Sequence, residues 1–323
     1  MPEAIDNARP APLRVAPDRP GPDFDLIDLD VSVTPDIESG AISGTTTISF
    51  RSLVDDLRVI TLSGNALEVT GVGPGVGAVS NDGEAMAVLL PRPLARGERS
   101  SITLQFSGMP GRGLTRGEDL IYTGYFACNW MPCAQDRPGD KATVTLTLNL
   151  PEGLSSIGPG SSVARTPRPD GTVAHLWRLE RPHSGYLIGF AAGRWQELQS
   201  QDYGVTLSIL AAVVSPEEVT PALSDTAAML RFFEDRIFSG HDLPRSKPFP
   251  DVYLAAAAAV GVPPLRCAVV EDTITGVTAG VAAGACVFGY SPPEAGHDTP
   301  QALRNAGAAA VFTDMAQLPD LLR

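Results

Sequence analysis

Apolar and polar residues alternate in short runs through the first two thirds of the chain. A period of two is typical of strands with one buried face, and glycine and proline residues separate the runs as turns do. The alternating runs are Phe24–Val33, Ala41–Phe50, Leu57–Leu62, Leu67–Val72, Ala85–Leu90, Ser101–Phe106, Ala142–Leu150, Ala174–Leu179 and Tyr186–Ala191. We therefore predict an antiparallel β-sandwich or saddle up to about Ser200.

The pattern changes in the last third of the chain, where helix-length and strand-length segments alternate. Asp251 can cap a helix over Val252–Val260, which Gly261 ends. Cys267–Val270 is a short apolar run and predicts a buried strand. The further predicted elements are a helix over Thr275–Ala283 closed by Gly284, a strand over Cys286–Gly289, a strand over Ala308–Phe312 and a helix over Met315–Leu322.

These two patterns suggest a division into domains. Residues 1–22 are rich in proline, alanine and charge, which is typical of a flexible tail. We assign residues 23–200 to the β-domain, 201–236 to a junction and 237–323 to the α/β core. The predicted fold class is thus a multidomain β plus α/β chain.

Charge and cysteine content narrow the functions that this chain can have. The formal net charge is −13 and the pI is about 4.7, which argues against binding to nucleic acid or to an anionic membrane. We expect no membrane span and no signal peptide, since no apolar run is long enough and the N-terminus lacks a basic start. Cys128 and Cys133 are close, but nothing else indicates a disulfide framework. We therefore expect a reducing compartment and a cytoplasmic location.

Three side chains in the C-terminal part can carry chemistry. Lys247 precedes Pro248, so it lies in an extended loop. Glu271 and Asp272 end a predicted strand, where open α/β sheets place their sites. Two adjacent carboxylates can bind Mg²⁺, and an ammonium group can bind phosphate oxygens. The alternative is a solvated lysine beside an acidic pair that caps a helix.

The same residues lie in segments that resemble a known family. SKPFPDVYLAAA and CAVVEDTITGVTAGVAAGA resemble the C-terminal core of the haloacid dehalogenase-like hydrolases, in the branch of phosphoglycolate phosphatases and β-phosphoglucomutases. The resemblance spans roughly Phe232–Arg323 and implies a partial Rossmann-like parallel sheet. It also implies that Lys247 holds the phosphoryl group and the nucleophile, and that Glu271 and Asp272 help to hold Mg²⁺.

The β-domain resembles a different family. The segment Thr123–Leu154 is similar to the N-terminal β-domain of the zinc aminopeptidases, the aminopeptidase N and leukotriene A4 hydrolase family. That family's P-C-x-D-x-P-x-x-K turn corresponds here to Pro132–Lys141, with one more residue between Cys133 and Asp136. DFDLIDLDVSV and RPHSGYLIGFAAGRW are similar to a hairpin and a strand of the same domain. The resemblance runs to about Arg236 and implies the β-domain alone.

The zinc chemistry of the aminopeptidases is not expected in this chain. Those enzymes need H-E-x-x-H on a helix and a distal glutamate. None of the histidines is followed by glutamate, and no pair has the i, i+4 spacing; they are His175, His183, His241 and His297. The G-x-M-E-N motif is also missing. We therefore predict neither zinc nor aminopeptidase activity.

The nucleophile of the phosphatase family is the first aspartate of a D-x-D motif. Asp28 and Asp30 form such a motif, but strand alternation in the β-domain explains them without chemistry. Ser215 follows the apolar run Leu210–Val214 and is a candidate for the family's phosphate-binding Ser or Thr. The same segment also fits the aminopeptidase resemblance.

Two functions remain open from the sequence. The first is a Mg²⁺-dependent phosphoryl hydrolase for a small phosphorylated metabolite, which is incomplete because the nucleophile motif is missing. Its catalytic residues are Lys247 and Asp272, its phosphate-binding residues Lys247 and Ser215, and its metal ligands Glu271 and Asp272. The alternative is a non-catalytic β-domain that binds a peptide or a partner. If no upstream segment pairs beside the Val269 strand, that strand exposes an apolar sheet edge, and we then expect self-association.

Overall fold

A computed structural model describes residues 20–124, 126–134, 137, 139–202, 205–212, 215–233, 236–238, 243–293 and 298–323. The chain divides into two compact units, with the boundary between Ala227 and Ala228. That boundary lies inside the predicted junction and within helix α1, Pro216–Phe233. Most of the predicted tail, residues 1–19, lies outside the described residues.

The first unit, here called the β unit, is built from short strands separated by turns. The described strands are β1 Phe24–Pro35, β2 Ile42–Ser52, β3 Leu57–Ser63, β4 Glu68–Val72, β5 Ala78–Asn81, β6 Ala85–Leu94, β7 Arg99–Gly108, β8 Leu114–Gly117, β9 Leu120–Thr123, β10 Lys141–Pro151, β11 Ser155–Ile157, β12 Ser161–Pro167, β13 Thr172–Ser184, β14 Ala191–Gly193, β15 Gln196–Asp202 and β16 Val205–Ala211. Every strand predicted from the alternation overlaps one of these, but the run Tyr186–Ala191 does so only at Ala191, because a 3₁₀ turn over Gly185–Leu187 precedes β14.

The strands of the β unit form one large sheet and three smaller ones. The seven-stranded sheet has the order β12-β13-β10-β1-β2-β7-β4. Its β1 and β10 pair in parallel, whereas its other neighbours are antiparallel. The sheet is therefore mixed: its β1–β10 pair departs from the predicted antiparallel arrangement, which its other described pairs follow. Alternation reports which face of a strand is buried but not its direction relative to a distant partner.

The core of the β unit is apolar and well packed. Phe24 and Phe50 are fully buried and meet edge to face, with 5.8 Å between ring centroids. Trp130 is also fully buried and contacts Phe190 in the same way at 5.2 Å. Edge-to-face pairs add to the stabilisation that burial of the rings provides.

A disulfide lies within this core. Cys128 and Cys133 are bonded, with their Cα atoms 5.0 Å apart, and both are buried. The bond does not fit the reducing compartment that we expected because the sequence indicated no disulfide framework. The spacing of five residues between the two cysteines allowed the pairing, but nothing in the local sequence required it. The cytoplasmic location consequently loses its main support and stays a prediction.

The second unit, here called the α/β unit, alternates helices with parallel strands. Its described helices are α2 Asp251–Ala259, α3 Ile274–Ala283, α4 Pro300–Asn305 and α5 Leu318–Leu321, and its strands are β17 Ala268–Glu271, β18 Cys286–Tyr290 and β19 Ala310–Phe312. The strands pair in parallel in the order β17-β18-β19. This confirms the predicted fold class, a β-domain followed by a partial Rossmann-like half-sheet.

Local signals explain most of the element ends in the α/β unit. Gly261 and Gly284 follow α2 and α3 with φ of +68° and +84°, a conformation that costs glycine little. Thr273 caps α3, since its hydroxyl accepts the N–H of Gly276 at 3.1 Å. The last predicted helix is shorter than expected, because Met315–Gln317 is a 3₁₀ turn that precedes α5.

In the described part of the chain, β17 pairs with β18 alone and therefore forms an edge of the half-sheet. Val270 on this strand has 36% of its surface exposed, whereas Val269 is buried. The edge matches the expectation from the sequence. None of the described helices is both long and apolar enough to span a membrane.

Candidate functional site

The candidate site begins where β17 ends. Glu271 is the last residue of this strand, and Asp272 and Thr273 connect it to α3. Because β17, β18 and β19 are parallel, their carboxyl ends lie at the same edge of the sheet. Open α/β sheets bind ligands outside this edge.

Helix α3 lies close to the sheet because its inward-facing residues are small. A Cβ added to Gly280 would lie 2.7 Å from Val287 and 3.3 Å from Val269, both in the sheet. The first turn of α3 lies even closer to the end of β17, since a Cβ on Gly276 would lie 1.9 Å from Oε2 of Glu271. The absence of a side chain at Gly276 therefore leaves room for the Glu271 carboxylate at the N-terminus of α3, where the helix dipole favours negative charge.

Lys247 reaches this carboxylate from the loop that precedes α2. Its Nζ forms an ion pair with Oε1 of Glu271, and the two side chains are 38% and 10% exposed, respectively. The same loop is held by Arg245, whose Nη2 lies 2.8 Å from Oδ2 of Asp251, the first residue of α2. The structure thus brings together Lys247 and Glu271, which are 24 residues apart in sequence.

Tyr253 completes the contacts of Glu271 and was not among the residues predicted from the sequence. Its hydroxyl donates to Oε1 of Glu271, and Nζ of Lys247 lies 5.3 Å from the centre of its ring. Burial raises the pKa of Tyr253, and the hydrogen bond to Glu271 and the negative charges of Glu271 and Asp272 raise it further. In the sequence, the one indication that Tyr253 lies near the site was its position on the first turn of the helix that follows Lys247.

Asp272 is next to Glu271 in sequence and is half-buried at the same strand end. A further acidic residue, Asp298, also reaches α3, because its Oδ2 accepts the N–H of Ile274 at 2.7 Å. The described residues contain no group of three or more His, Cys, Asp or Glu side chains suited to a metal ion. Mg²⁺ nevertheless binds through one or two carboxylates together with substrate phosphates and water, so Glu271 and Asp272 have donors that fit it.

The other predicted residues belong to the β unit or to its last helix. The Ser215 hydroxyl accepts the N–H of Glu218 at 3.4 Å, and the Glu218 carboxylate accepts the N–H of Ser215 at 3.1 Å. Ser215 is therefore part of a capping box at the start of α1. Asp28 and Asp30 lie on β1, where Asp28 accepts a hydrogen bond from Thr143.

The described histidines do not form the zinc ligand set of an aminopeptidase. His175 is buried, and its Nδ1 lies 2.8 Å from the hydroxyl of Ser156, which also accepts the indole N–H of Trp177 at 3.0 Å. Burial lowers the pKa of His175, and the charge of Arg165 lowers it further. His241 and His297 lie outside the described residues.

Comparison with known proteins supports the resemblance of the C-terminal part. Residues 204–284 match the model of the haloacid dehalogenase-like hydrolase family. A 6-phosphogluconate phosphatase of Escherichia coli is 36% identical over 93 residues, which are 29% of this chain and 40% of that protein. A β-phosphoglucomutase of Mycobacterium bovis is 38% identical over 112 residues, which are 33% of this chain and 42% of that protein.

The C-terminal part of this chain is similar to the haloacid dehalogenase-like hydrolases. The predicted resemblance is thus confirmed, and the family match begins earlier than the predicted start near Phe232. The chain spans less than half the length of the two curated relatives, which are 40% and 42% covered.

A different solved structure is similar in fold to the β unit. The M1 zinc metallopeptidase from Deinococcus radiodurans superimposes with a TM-score of 0.56 at 23% identity, and the match covers 71% of this chain and 55% of that one. A match of this extent must include most of the β unit. It shows the fold alone, and it confirms that the chain joins two resemblances, as the sequence predicted.

Proposed function

We propose that the α/β unit is a Mg²⁺-dependent phosphoryl site of the haloacid dehalogenase type, which acts on a small phosphorylated metabolite. The observation that carries this proposal is the contact between Lys247 and Glu271 at the carboxyl end of β17, with Asp272 beside it. The similarity to a 6-phosphogluconate phosphatase supports a phosphorylated sugar or sugar acid as the substrate class.

Each residue has a separate role in this proposal. The Lys247 ammonium binds the phosphoryl oxygens and offsets their negative charge. Asp272 and Glu271 would hold Mg²⁺, and Asp272 has the larger share because Glu271 already pairs with Lys247. When bound, the metal supplies further positive charge for the phosphate oxygens.

The proposed site is incomplete in one respect. Phosphoryl transfer through a covalent intermediate needs a carboxylate nucleophile; Asp28 is the sequence candidate from the D-x-D motif, and a residue of another chain is the alternative. Burial raises the pKa of Asp30, and the charge of Asp28 raises it further. If no nucleophile reaches the site, the α/β unit binds phosphorylated ligands without turning them over.

Hydrolysis of p-nitrophenyl phosphate and of small sugar phosphates tests this proposal. If a nucleophile reaches the site, we expect Mg²⁺-dependent turnover that is lost in Lys247→Met and Asp272→Asn. Loss in Asp28→Asn as well would identify Asp28 as that nucleophile, and no turnover in wild type would mean that the site is a remnant. The matched control is Asp320→Asn, because Asp320 pairs with Arg323 at the exposed C-terminus. Turnover that survives in Lys247→Met or Asp272→Asn would contradict the proposed site.

Ser215 is a separate proposal for phosphate binding. Its position at the N-terminus of α1 supports the role, since helix N-termini attract anions, although its hydroxyl already serves as a cap. Replacing Ser215 by alanine should weaken binding of inorganic phosphate to the full chain if the proposal is right. Unchanged phosphate affinity would leave Ser215 with the capping role alone.

The alternative function is peptide binding by the β unit. A cleft of about 400 Å³ supports it, because apolar and aromatic side chains line its walls, among them Tyr122, Ile157, Phe190 and Trp195. Such surfaces suit an apolar peptide side chain. Fluorescence of Trp195 should change when a peptide with an apolar residue is added, and Trp195→Phe should abolish the change.

Self-association through the exposed edge of β17 is also proposed. In the described part of the chain, β17 pairs with β18 on one side only, and this free edge with partly exposed Val270 favours edge-to-edge pairing. Sedimentation of the full chain should then show a dimer that Val270→Lys dissociates. A monomer at all concentrations would contradict this proposal.

A further inference from the structure

Tyr253 contacts both members of the Lys247–Glu271 pair. Its hydroxyl donates to Oε1 of Glu271, the same oxygen that pairs with Nζ of Lys247. Its ring lies 5.3 Å from Nζ, within the range of a cation–π contact. One side chain on a helix thus contacts the carboxylate through its polar end and the ammonium through its apolar face.

The opposite oxygen of Glu271 is also constrained. Oε2 accepts a hydrogen bond from the Thr273 hydroxyl at 3.4 Å. On the same side, a Cβ at Gly276 would overlap the carboxylate, with 1.9 Å to Oε2 and 2.1 Å to Cδ. The carboxylate is therefore held from both sides and has little freedom to rotate.

We propose that Tyr253 is a positioning residue that fixes the Glu271 carboxylate and, through it, the Lys247 ammonium at the carboxyl end of β17. A free lysine side chain has several rotatable bonds and loses conformational entropy when it is held in one place. Tyr253 and Glu271 hold the ammonium before a ligand arrives, so less of this cost falls on ligand binding. The claim that a fixed Lys247 binds phosphate more tightly rests on the proposed function. The claim that Tyr253 and Glu271 fix Lys247 does not.

The protonation state of Tyr253 suits this role. A phenol has an ordinary pKa of about 10, so the Tyr253 hydroxyl is protonated at neutral pH and can donate to Glu271. It therefore stabilises the ionised form of Glu271 without adding charge beside Lys247. A second negative group in its place would compete with phosphate for the ammonium.

Packing alone is the competing explanation for Tyr253. Its ring packs against the small apolar cluster of the α/β unit, which includes Val269, Val277, Val287 and Leu303. Tyr253→Phe separates the two explanations, because it keeps the ring and removes the hydroxyl. Tyr290→Phe is the matched control, since Tyr290 is a half-buried tyrosine of the same unit whose ring contacts Phe312.

The rate at which Lys247 is acetylated in the full chain measures how firmly its ammonium group is held, and this assay does not require activity. The chain has only two lysines, and Lys141 is buried in the β unit, so slow acetylation of Lys141 shows that this unit stays folded during the assay. We expect Tyr253→Phe to raise the acetylation rate of Lys247 by roughly tenfold, as loss of one hydrogen bond to a charged group would allow. Glu271→Gln should raise it at least as much, and Tyr290→Phe should not change it. A wild-type rate in Tyr253→Phe would overturn the proposal.

Kinetics test the part that depends on the proposed function. If the chain hydrolyses p-nitrophenyl phosphate, Tyr253→Phe should lower kcat/KM about tenfold, mainly through KM, because Lys247 holds the phosphoryl group before and during the reaction. An unchanged KM would overturn the positioning role in substrate binding. If wild type shows no hydrolysis while Tyr253→Phe still speeds acetylation, the proposed function fails and the fixing of Lys247 by Tyr253 is supported.

Discussion

Replacing Gly276 by alanine places a methyl group where the Glu271 carboxylate lies. The new Cβ would be 1.9 Å from Oε2, and the gap must open to at least 3.0 Å. The carboxylate is the far end of a flexible side chain, so it can move, but only by leaving its partners. The substitution therefore tests whether Lys247, Tyr253 and Thr273 hold Glu271 in this place.

Two opposing effects set the magnitude. A hydrogen bond to a charged group contributes about 1.5–3 kcal/mol. The ion pair with Lys247 adds about 1 kcal/mol or less, because Lys247 is 38% exposed. Alanine is favoured over glycine inside a helix by up to about 1 kcal/mol. We therefore expect Gly276→Ala to destabilise the α/β unit by about 1–2 kcal/mol, whereas helix propensity alone predicts stabilisation.

Urea unfolding of the full chain can separate the two units. All three tryptophans, Trp130, Trp177 and Trp195, precede the boundary at Ala228, so fluorescence follows the β unit. Circular dichroism at the helix band follows mainly the α/β unit. We expect Gly276→Ala to lower the midpoint of the helix signal by roughly 1 M urea and to leave the fluorescence midpoint in place.

Gly280→Ala is the control within the same helix. Its Cβ would meet Val287 and Val269 rather than the carboxylate, so it perturbs packing without touching Glu271. Acetylation of Lys247 should accelerate in Gly276→Ala and stay unchanged in Gly280→Ala. The reasoning is refuted if Gly276→Ala is as stable as wild type or more stable, with an unchanged acetylation rate.

Two further predictions concern the β unit. Folding lowers the pKa of His175 below its value in the unfolded state, which is near 6.5. Between these two pKa values the unfolded state binds more protons than the folded state. The free energy of unfolding therefore falls as the pH falls through this range. Tryptophan fluorescence should show this loss below about pH 6.5 in wild type and a smaller slope in His175→Gln; equal slopes would contradict it. Loss of the Cys128–Cys133 disulfide in the double serine variant should lower the stability of the β unit by about 2 kcal/mol in urea, because the bond closes a short loop. Identical midpoints would show that the bond does not restrain the unfolded chain.

Local chemistry made much of the α/β unit predictable. Gly261 and Gly284 have positive φ at the helix ends where the sequence placed them, and Glu271 ends a strand as expected. Lys247 and Glu271 were candidates from their residue types and positions, and the resemblance added their roles, whereas their contact had to be observed. Tyr253 escaped prediction because a helical tyrosine usually packs in a core, and its sequence does not reveal what its hydroxyl meets.

The β unit shows a different limit. Alternation located most of its longer strands, because one buried face leaves a period of two in the sequence, but it missed exposed strands such as β8 and β12. It did not reveal the parallel pairing of β1 with β10, whose partners are more than a hundred residues apart. The Cys128–Cys133 bond was missed for a related reason, since a close spacing permits a disulfide without requiring one.

Protection of Lys247 from acetylation tests the central claim most directly, because the claim is that this ammonium binds phosphate at a magnesium-assisted site. The full chain is acetylated with and without inorganic phosphate, in the presence and absence of Mg²⁺, with slow acetylation of Lys141 as the check that the β unit stays folded. We predict that phosphate slows acetylation of Lys247, that Mg²⁺ strengthens the effect and that Asp272→Asn removes the contribution of Mg²⁺. A Lys247 rate that phosphate and Mg²⁺ leave unchanged would contradict the account.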